Sequence, residues 1–193
     1  MPPGGAGPTR THFTYFPGAV RLPETAADNT KNRSHMIEVR ITEPGDGILV
    51  ALGGLGAGYA LYVQDGRPVY HCNFFERERT EIVSDTRLPF GASTVGFEFL
   101  YDGGGAGKGG LGILSINGLE VGPSRIDRAV PGRFGIYTFA VGMDTGSPVT
   151  PESAPPFAFT GVIERVDIDL GPADLDPAEE RRLHARFKAG KDY

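Results

Sequence analysis

The feature that most constrains this fold is Asn117-Gly118, set between two apolar runs in LGILSINGLEVG (111–122). A two-residue type I′ turn needs positive φ at both central positions, and Asn-Gly accepts that at low cost, so the runs fold back as a hairpin. Just upstream, Val95, Phe97, Phe99 and Tyr101 alternate with Gly96, Glu98 and Leu100, close to the period-two pattern of a half-buried strand. The glycine stretch DGGGAGKGG (102–110) therefore joins strand to strand. That placement speaks against a phosphate-binding loop, which leads from a strand into a helix and ends in Gly-Lys-Ser/Thr. Here Asp102 stands where that motif needs its first glycine, and Gly109 where it needs the hydroxyl.

The same pattern runs along the chain. Ile37, Val39 and Ile41 alternate, and Glu43-Pro-Gly-Asp-Gly47 turns into ILVALGG (48–54). Tyr59, Leu61 and Val63 begin a strand that Asp65-Gly66 turns into RPVYHCNFF (67–75), and RTEIVSD (79–85) follows a charged corner. Two more strands are expected near Arg125–Val130 and Phe134–Val141. In the last strand Val162, Val166, Ile168 and Leu170 alternate with Ile163, Arg165, Asp167 and Asp169, giving a polar face in its second half. Residues 142–159 are rich in Pro and Ser and read as a long loop. No room remains for helical crossovers, so the strands meet in antiparallel sheets. With 29 Gly and 16 Pro in 193 residues, short strands and many turns are the rule.

One helix is expected, near the end. Asp176 caps, Pro177 takes the first helical position, and Glu179 completes a capping box before EERRLHARFKAG (179–190), where Leu183 and Phe187 make a narrow apolar stripe. The expected organisation is an N-terminal arm over 1–33, a β-sandwich over 34–171 and a helical tail over 172–193. His12, Phe13, Tyr15 and Phe16 make the arm too aromatic for a bare linker, so something covers it.

Composition narrows the function. The formal charge of −5, with no Lys/Arg-rich run, argues against a nucleic-acid surface. No apolar run is long enough for a transmembrane helix, and the first residues lack the apolar core of a secretory signal. The cellular compartment stays open. A single cysteine, Cys72, excludes an intrachain disulfide and a multi-cysteine zinc site.

RLPETAADNTKNRSH (21–35), GILVALGG, LYVQDGRPVYHCNFF (61–75), RTEIVSDTRLPFG (79–91), VGFEFLYDGGGAGKGG (95–110) and DTGSPV (144–149) together resemble the C-terminal region of the large bacterial arylsulfatases, in order and spacing, from about Tyr15 to Leu170. In that family the region is a β-rich module following the catalytic domain. FTGVIERVDI (159–168) resembles the closing strand of concanavalin-like and laminin-G-like jelly rolls. The expected fold is thus an all-β, antiparallel β-sandwich of jelly-roll type with a short C-terminal helix. The resemblance implies a parent enzyme that uses calcium and a formylglycine made from Cys or Ser in a Cys/Ser-x-Pro-x-Arg motif. Cys72 is followed by Asn73, Phe74, Phe75 and Glu76, without that proline or arginine, so this chain by itself is expected to be inactive and to carry no catalytic residue or cofactor. The resemblance makes it a non-catalytic domain that supports a sulfatase catalytic domain, in cis or in trans, or that makes homo-oligomer contacts. The alternative is a free-standing jelly-roll module that binds glycans, sulfated or otherwise.

Five places invite a site. His71 and Cys72 suggest a metal or a nucleophile, but on a strand they point to opposite faces, and a buried structural thiol is favoured. Lys31-Asn-Arg-Ser-His35 forms either a polar site or an anchor for the first strand, and the anchor is favoured. Asn32-Arg-Ser34 also matches the glycosylation sequon, which the bacterial resemblance sets aside. Asp144 is the candidate calcium ligand, because related jelly rolls hold calcium at loop carboxylates; a single carboxylate is few for such a site, and an Asx turn is the competing role. Glu76-Arg-Glu-Arg79 beside Phe74 and Phe75 suggests a sugar groove, against a solvated turn flanked by core aromatics, which is favoured.

Overall fold

The computed structural model describes residues 10–132, 134, 137–144, 157–176, 178, 179 and 182. Within them, strands build two six-stranded antiparallel sheets. The first sheet runs in the order β1 (His12–Tyr15), β12 (Val162–Leu170), β3 (His35–Glu43), β8 (Ser93–Tyr101), β9 (Gly110–Ile116) and β10 (Leu119–Ile126). The second runs β2 (Leu22–Pro23), β11 (Thr138–Val141), β4 (Gly47–Gly53), β5 (Gly58–Gln64), β6 (Arg67–Phe74) and β7 (Glu78–Val83). Both hairpin turns read from the sequence are present. Asp65 and Gly66 have φ of 50° and 73°, and Asn117 and Gly118 have 51° and 78°, as a type I′ turn requires.

The core lies between the sheets. Ile37, Val39, Phe97, Leu114, Val166 and Ile168 of the first sheet meet Leu49, Leu52, Leu61, Val63 and Phe139 of the second, all fully buried. Phe97 and Tyr70 stack across the interface with ring centroids 3.4 Å apart and planes at 7°. Fully burying one such side chain contributes about 2 kcal/mol relative to leaving it in water, so this alternation is the main source of cohesion.

Several expectations are corrected. The described part of the arm is integral to the sandwich: β1 pairs with β12 from His12 opposite Asp169 to Tyr15 opposite Val166, and Leu22 of β2 pairs with Phe139. The physical reason is that Phe13, Tyr15 and Leu22 pack against the core, which offsets the entropy of ordering the segment. The strand expected over Arg125–Val130 is only the end of β10, which stops at Ile126, and of that expected over Phe134–Val141 the described residues show Thr138–Val141 as strand. In β12 the alternation changes phase: Val162 is exposed and Ile163 is buried, because the pairing with β3 skips Thr42 and Glu164. Asp176 caps as expected, its carboxylate accepting from the backbone N–H of Ala178 and Glu179 while Glu179 accepts from the N–H of Asp176. Ala178, Glu179 and Arg182 are helical, and the rest of the expected helix lies outside the described residues.

The two outer faces differ. On the second sheet Ile48, Ala51, Ala60, Tyr62 and Val69 form an apolar cluster under Phe157, whose carbonyl accepts the Ile48 N–H at 3.1 Å. That cover explains why every residue of β4 is buried. The first sheet carries no such apolar cluster on its outer face among the described residues, and Met36, Glu38, Arg40, Arg165, Asp167 and Asp169 reach towards solvent there.

Candidate binding groove on the first sheet

The segment 24–35 is the polar interior of the molecule. Asp28, Thr30, Lys31, Asn32, Arg33 and His35 are all buried. Lys31 Nζ lies 2.5 Å from Glu24 Oε1 and over the Phe134 ring, and Glu24 in turn accepts the Phe134 N–H. Tyr15 donates its hydroxyl to Asp28, and burial pushes the Asp28 carboxyl above its ordinary pKa, with that hydrogen bond opposing. Asn32 donates to the Pro131 carbonyl at 2.8 Å and accepts from Gly107 N–H at 2.9 Å. The anchoring role is therefore the one the geometry gives this segment.

The same contacts explain the glycine loop. Gly105 N–H donates to Asp174 at 2.7 Å, Gly107 N–H to Asn32, and Lys108 N–H to the Tyr101 hydroxyl at 3.0 Å. The amides that would cradle a phosphate are filled by the protein's own oxygens. His35, Tyr59, Tyr70, Cys72, Phe99 and Phe134 surround a cavity of about 30 Å³, far too small for an organic ligand. Burial of the His35 imidazole lowers its pKa to about 4, with the Arg33 charge adding to the effect and the Arg33 carbonyl opposing it.

His71 and Cys72 do point to opposite faces: His71 sits 3.7 Å from Glu81 on the outer side of the second sheet, and Cys72 packs against the core. Burial pushes the Cys72 thiol up to about 12, which leaves it protonated and unreactive. Glu76-Arg-Glu-Arg79 is a solvated corner in which Phe74 and Phe75 turn to the core and Arg128 reaches both Glu78 and the Phe74 ring. Asp144 is buried, next to residues outside the described set, and among the described residues no three His, Cys, Asp or Glu side chains are grouped to hold a metal.

The groove that sequence reasoning missed lies on the open face of the first sheet, with a volume of about 350 Å³. Antiparallel register builds it. β1 brings His12 opposite Asp169 and Thr14 opposite Asp167, while β3 brings Met36 opposite Asp169 and Glu38 opposite Asp167. The Asp167 carboxylate is fixed from both sides: Thr14 donates its hydroxyl to Oδ1 at 2.7 Å and Arg165 donates Nε–H to Oδ2 at 2.8 Å. Partial burial opposes its ionisation, but these two donors outweigh it and hold Asp167 below the usual carboxylate range. His12 Nδ1 lies 2.7 Å from Asp169 Oδ1, and Arg40 Nε lies 3.7 Å from Glu38. Phe16, 59% exposed, and Met36 supply the apolar surface. The signal in the sequence was the polar half of the last strand, but nothing local said that His12 would lie beside it.

No protein-family profile matches the chain, and no curated protein does. Among solved structures, domains LG4-5 of the mouse laminin α1 chain are similar with a TM-score of 0.50 at 14% identity, over 86% of this chain and 40% of that one. The chain thus spans less than half the length of that relative. A native heptameric SAP-like pentraxin from Limulus polyphemus is similar at a TM-score of 0.42 and 14% identity, over 85% of this chain and 76% of that one. A galectin of Caenorhabditis elegans is similar at 0.42 and 10% identity, over 82% and 96%. The laminin likeness establishes a jelly-roll sandwich of the laminin-G kind, and at that identity it establishes fold alone. None of these matches carries the arylsulfatase likeness further.

Proposed function

We propose that this chain is a non-catalytic binding module whose ligand is a carbohydrate held in the groove between β1, β12 and β3. The observation that carries the reading is a preordered carboxylate, Asp167, placed beside apolar surface on the sheet face that the described residues leave open. Sugars offer hydroxyl donors on their rims and an apolar ring face. Asp167, Asp169 and Glu38 offer acceptors, and Phe16 and Met36 offer a surface for the ring. The fixed geometry of Asp167 lowers the entropy lost on binding. Titration of the chain against a panel of oligosaccharides, followed by chemical-shift changes at Thr14, Met36 and Asp169, tests the reading. Millimolar or tighter binding that Asp167→Asn weakens is expected; no shift with any sugar at 10-fold that range, roughly, would remove it.

A second reading is favoured by the ordered arylsulfatase resemblance and by exposed apolar residues on the far half of the same face. Leu100 and Leu111 pair across β8 and β9 and are both exposed on that face. In this reading the chain is the C-terminal domain of an arylsulfatase-like hydrolase, and the apolar strip faces the catalytic domain. The mass of the native polypeptide decides it: a band several times 20.6 kDa supports the parent enzyme, and one at 20.6 kDa removes the arrangement in cis. The two readings are compatible, since a sulfatase domain with a sugar groove satisfies both.

A further inference from the structure

Resting on the carbohydrate reading above, we infer that the groove selects uncharged or amine-bearing sugars and rejects sulfated ones. The charges facing the groove are Glu38, Asp167 and Asp169 against Arg165, with the His12 imidazole beside them. Arg165 donates its Nε–H, one of its five N–H donors, to Asp167, and His12 Nδ1 lies 2.7 Å from Asp169. Arg40, the cation next to the groove, faces Glu38. Each of these two arginines thus already lies beside a carboxylate.

The hydrogen-bonding capacity that remains is mostly acceptor capacity. An ionised carboxylate has two oxygens with about four lone-pair sites and no donor. Asp169 is 63% exposed and engages His12 through one oxygen, which leaves the other to a ligand. Asp167 presents the unused lone pairs of two oxygens whose positions Thr14 and Arg165 fix. A ligand that fits must bring donors, and hydroxyl and ammonium groups do so. A sulfate ester brings only acceptors and a negative charge. Its recognition calls for a guanidinium fork or a row of amide N–H groups; here both arginines lie against carboxylates that a sulfate would have to displace, and no lysine lines the groove.

Glu98 of β8 adds a further carboxylate beside Met36, on the strand next to β3. A sulfated ligand would therefore lie among four acidic side chains against two arginines, an acidic excess of two. Like charges at contact distances in a solvated groove weaken binding by on the order of tenfold, and the penalty shrinks as salt is added. An ammonium group in the same place gains by a similar factor. The inference also separates this module from the sulfated-glycan binder that a sulfatase parentage would first suggest.

The test uses three matched oligosaccharides of one backbone: the neutral form, a sulfated form and a form with free amino groups, each titrated into the intact chain at low and high salt. Expected is the order amine, then neutral, then sulfated, with steps of about tenfold at low salt that narrow at high salt. The double variant Asp169→Asn, Glu38→Gln removes exposed charge without touching the core, and in it the sulfated form should gain about tenfold relative to the neutral one. Sulfated binding equal to or tighter than neutral overturns the inference and leaves the carbohydrate reading standing. Absence of binding by all three overturns both.

Discussion

At Asn32 the backbone adopts φ of 55°, its side chain joins Pro131 to the glycine loop at Gly107, and its backbone carbonyl accepts the Asp174 N–H. Asn32→Ala leaves a buried amide and a buried carbonyl without their partners and places alanine in a left-handed conformation. The expected cost is about 3 kcal/mol, read as a shift in urea midpoint with unchanged slope. His35 makes stability depend on pH. Its folded pKa is about 4 against an ordinary 6.5, so between these values the unfolded chain binds a proton that the folded chain does not. Stability conferred by the neutral imidazole is present above about pH 6.5 and is lost as the pH falls towards 4, by about 3 kcal/mol in all. Asp28 acts in the opposite sense, because its raised pKa lets the folded state take up a proton first. Urea midpoints from pH 7 to pH 4.5 should fall, and His35→Gln should flatten the fall; an equally steep fall in the variant would remove His35 as its source. These residues were legible in the sequence only as a polar cluster. Their partners are distant in sequence, Pro131 lying 99 positions from Asn32 and Asp174 farther still, and no local pattern encodes such a pairing.

Turns were the most legible elements, because their chemistry is local. Gly118 has open space around an added Cβ but φ of 78°, so Gly118→Ala should cost about 1 kcal/mol through backbone strain alone. Gly112 is the contrasting case. An added Cβ there would sit 2.7 Å from Ile82 Cδ1 and 3.0 Å from the Phe97 ring, wedging the sheets apart. Gly112→Ala should cost more, about 2 to 3 kcal/mol, and thermal unfolding of the two variants side by side checks the order. Strand phase was less legible. The alternation of the last strand assigns Val162 to the core, and the skipped pairings at Thr42 and Glu164 send Ile163 there instead. A bulge is a property of two strands together, so a single strand's periodicity does not reveal it.

At the scale of the molecule, β1 decides whether the groove exists. Leu170 N–H donates to the Thr11 carbonyl at 2.7 Å and Val141 N–H to the Ala19 carbonyl at 2.9 Å, so the segment ties one sheet to the other. Removing residues 1–20 should therefore lower the melting temperature markedly and abolish sugar binding, whereas removal of a mere linker would change neither. Circular dichroism melting of the shortened chain distinguishes the two. The sequence alone determined that the chain is all-β, that its sheets are antiparallel, where most strands lie, and that Cys72 offers no sulfatase nucleophile. Each of these follows from period-two burial, from turn residues with particular φ preferences, or from a motif's absence. Only the tertiary structure decided that the N-terminal segment is a strand of the first sheet, that the second sheet's outer face is covered, and that His12, Glu38 and Asp167 share one open groove. The reason is that strand pairing joins residues as far apart as Thr14 and Asp167, 153 positions along the chain, and the free energy that selects such a pairing resides in the packed core rather than in either segment.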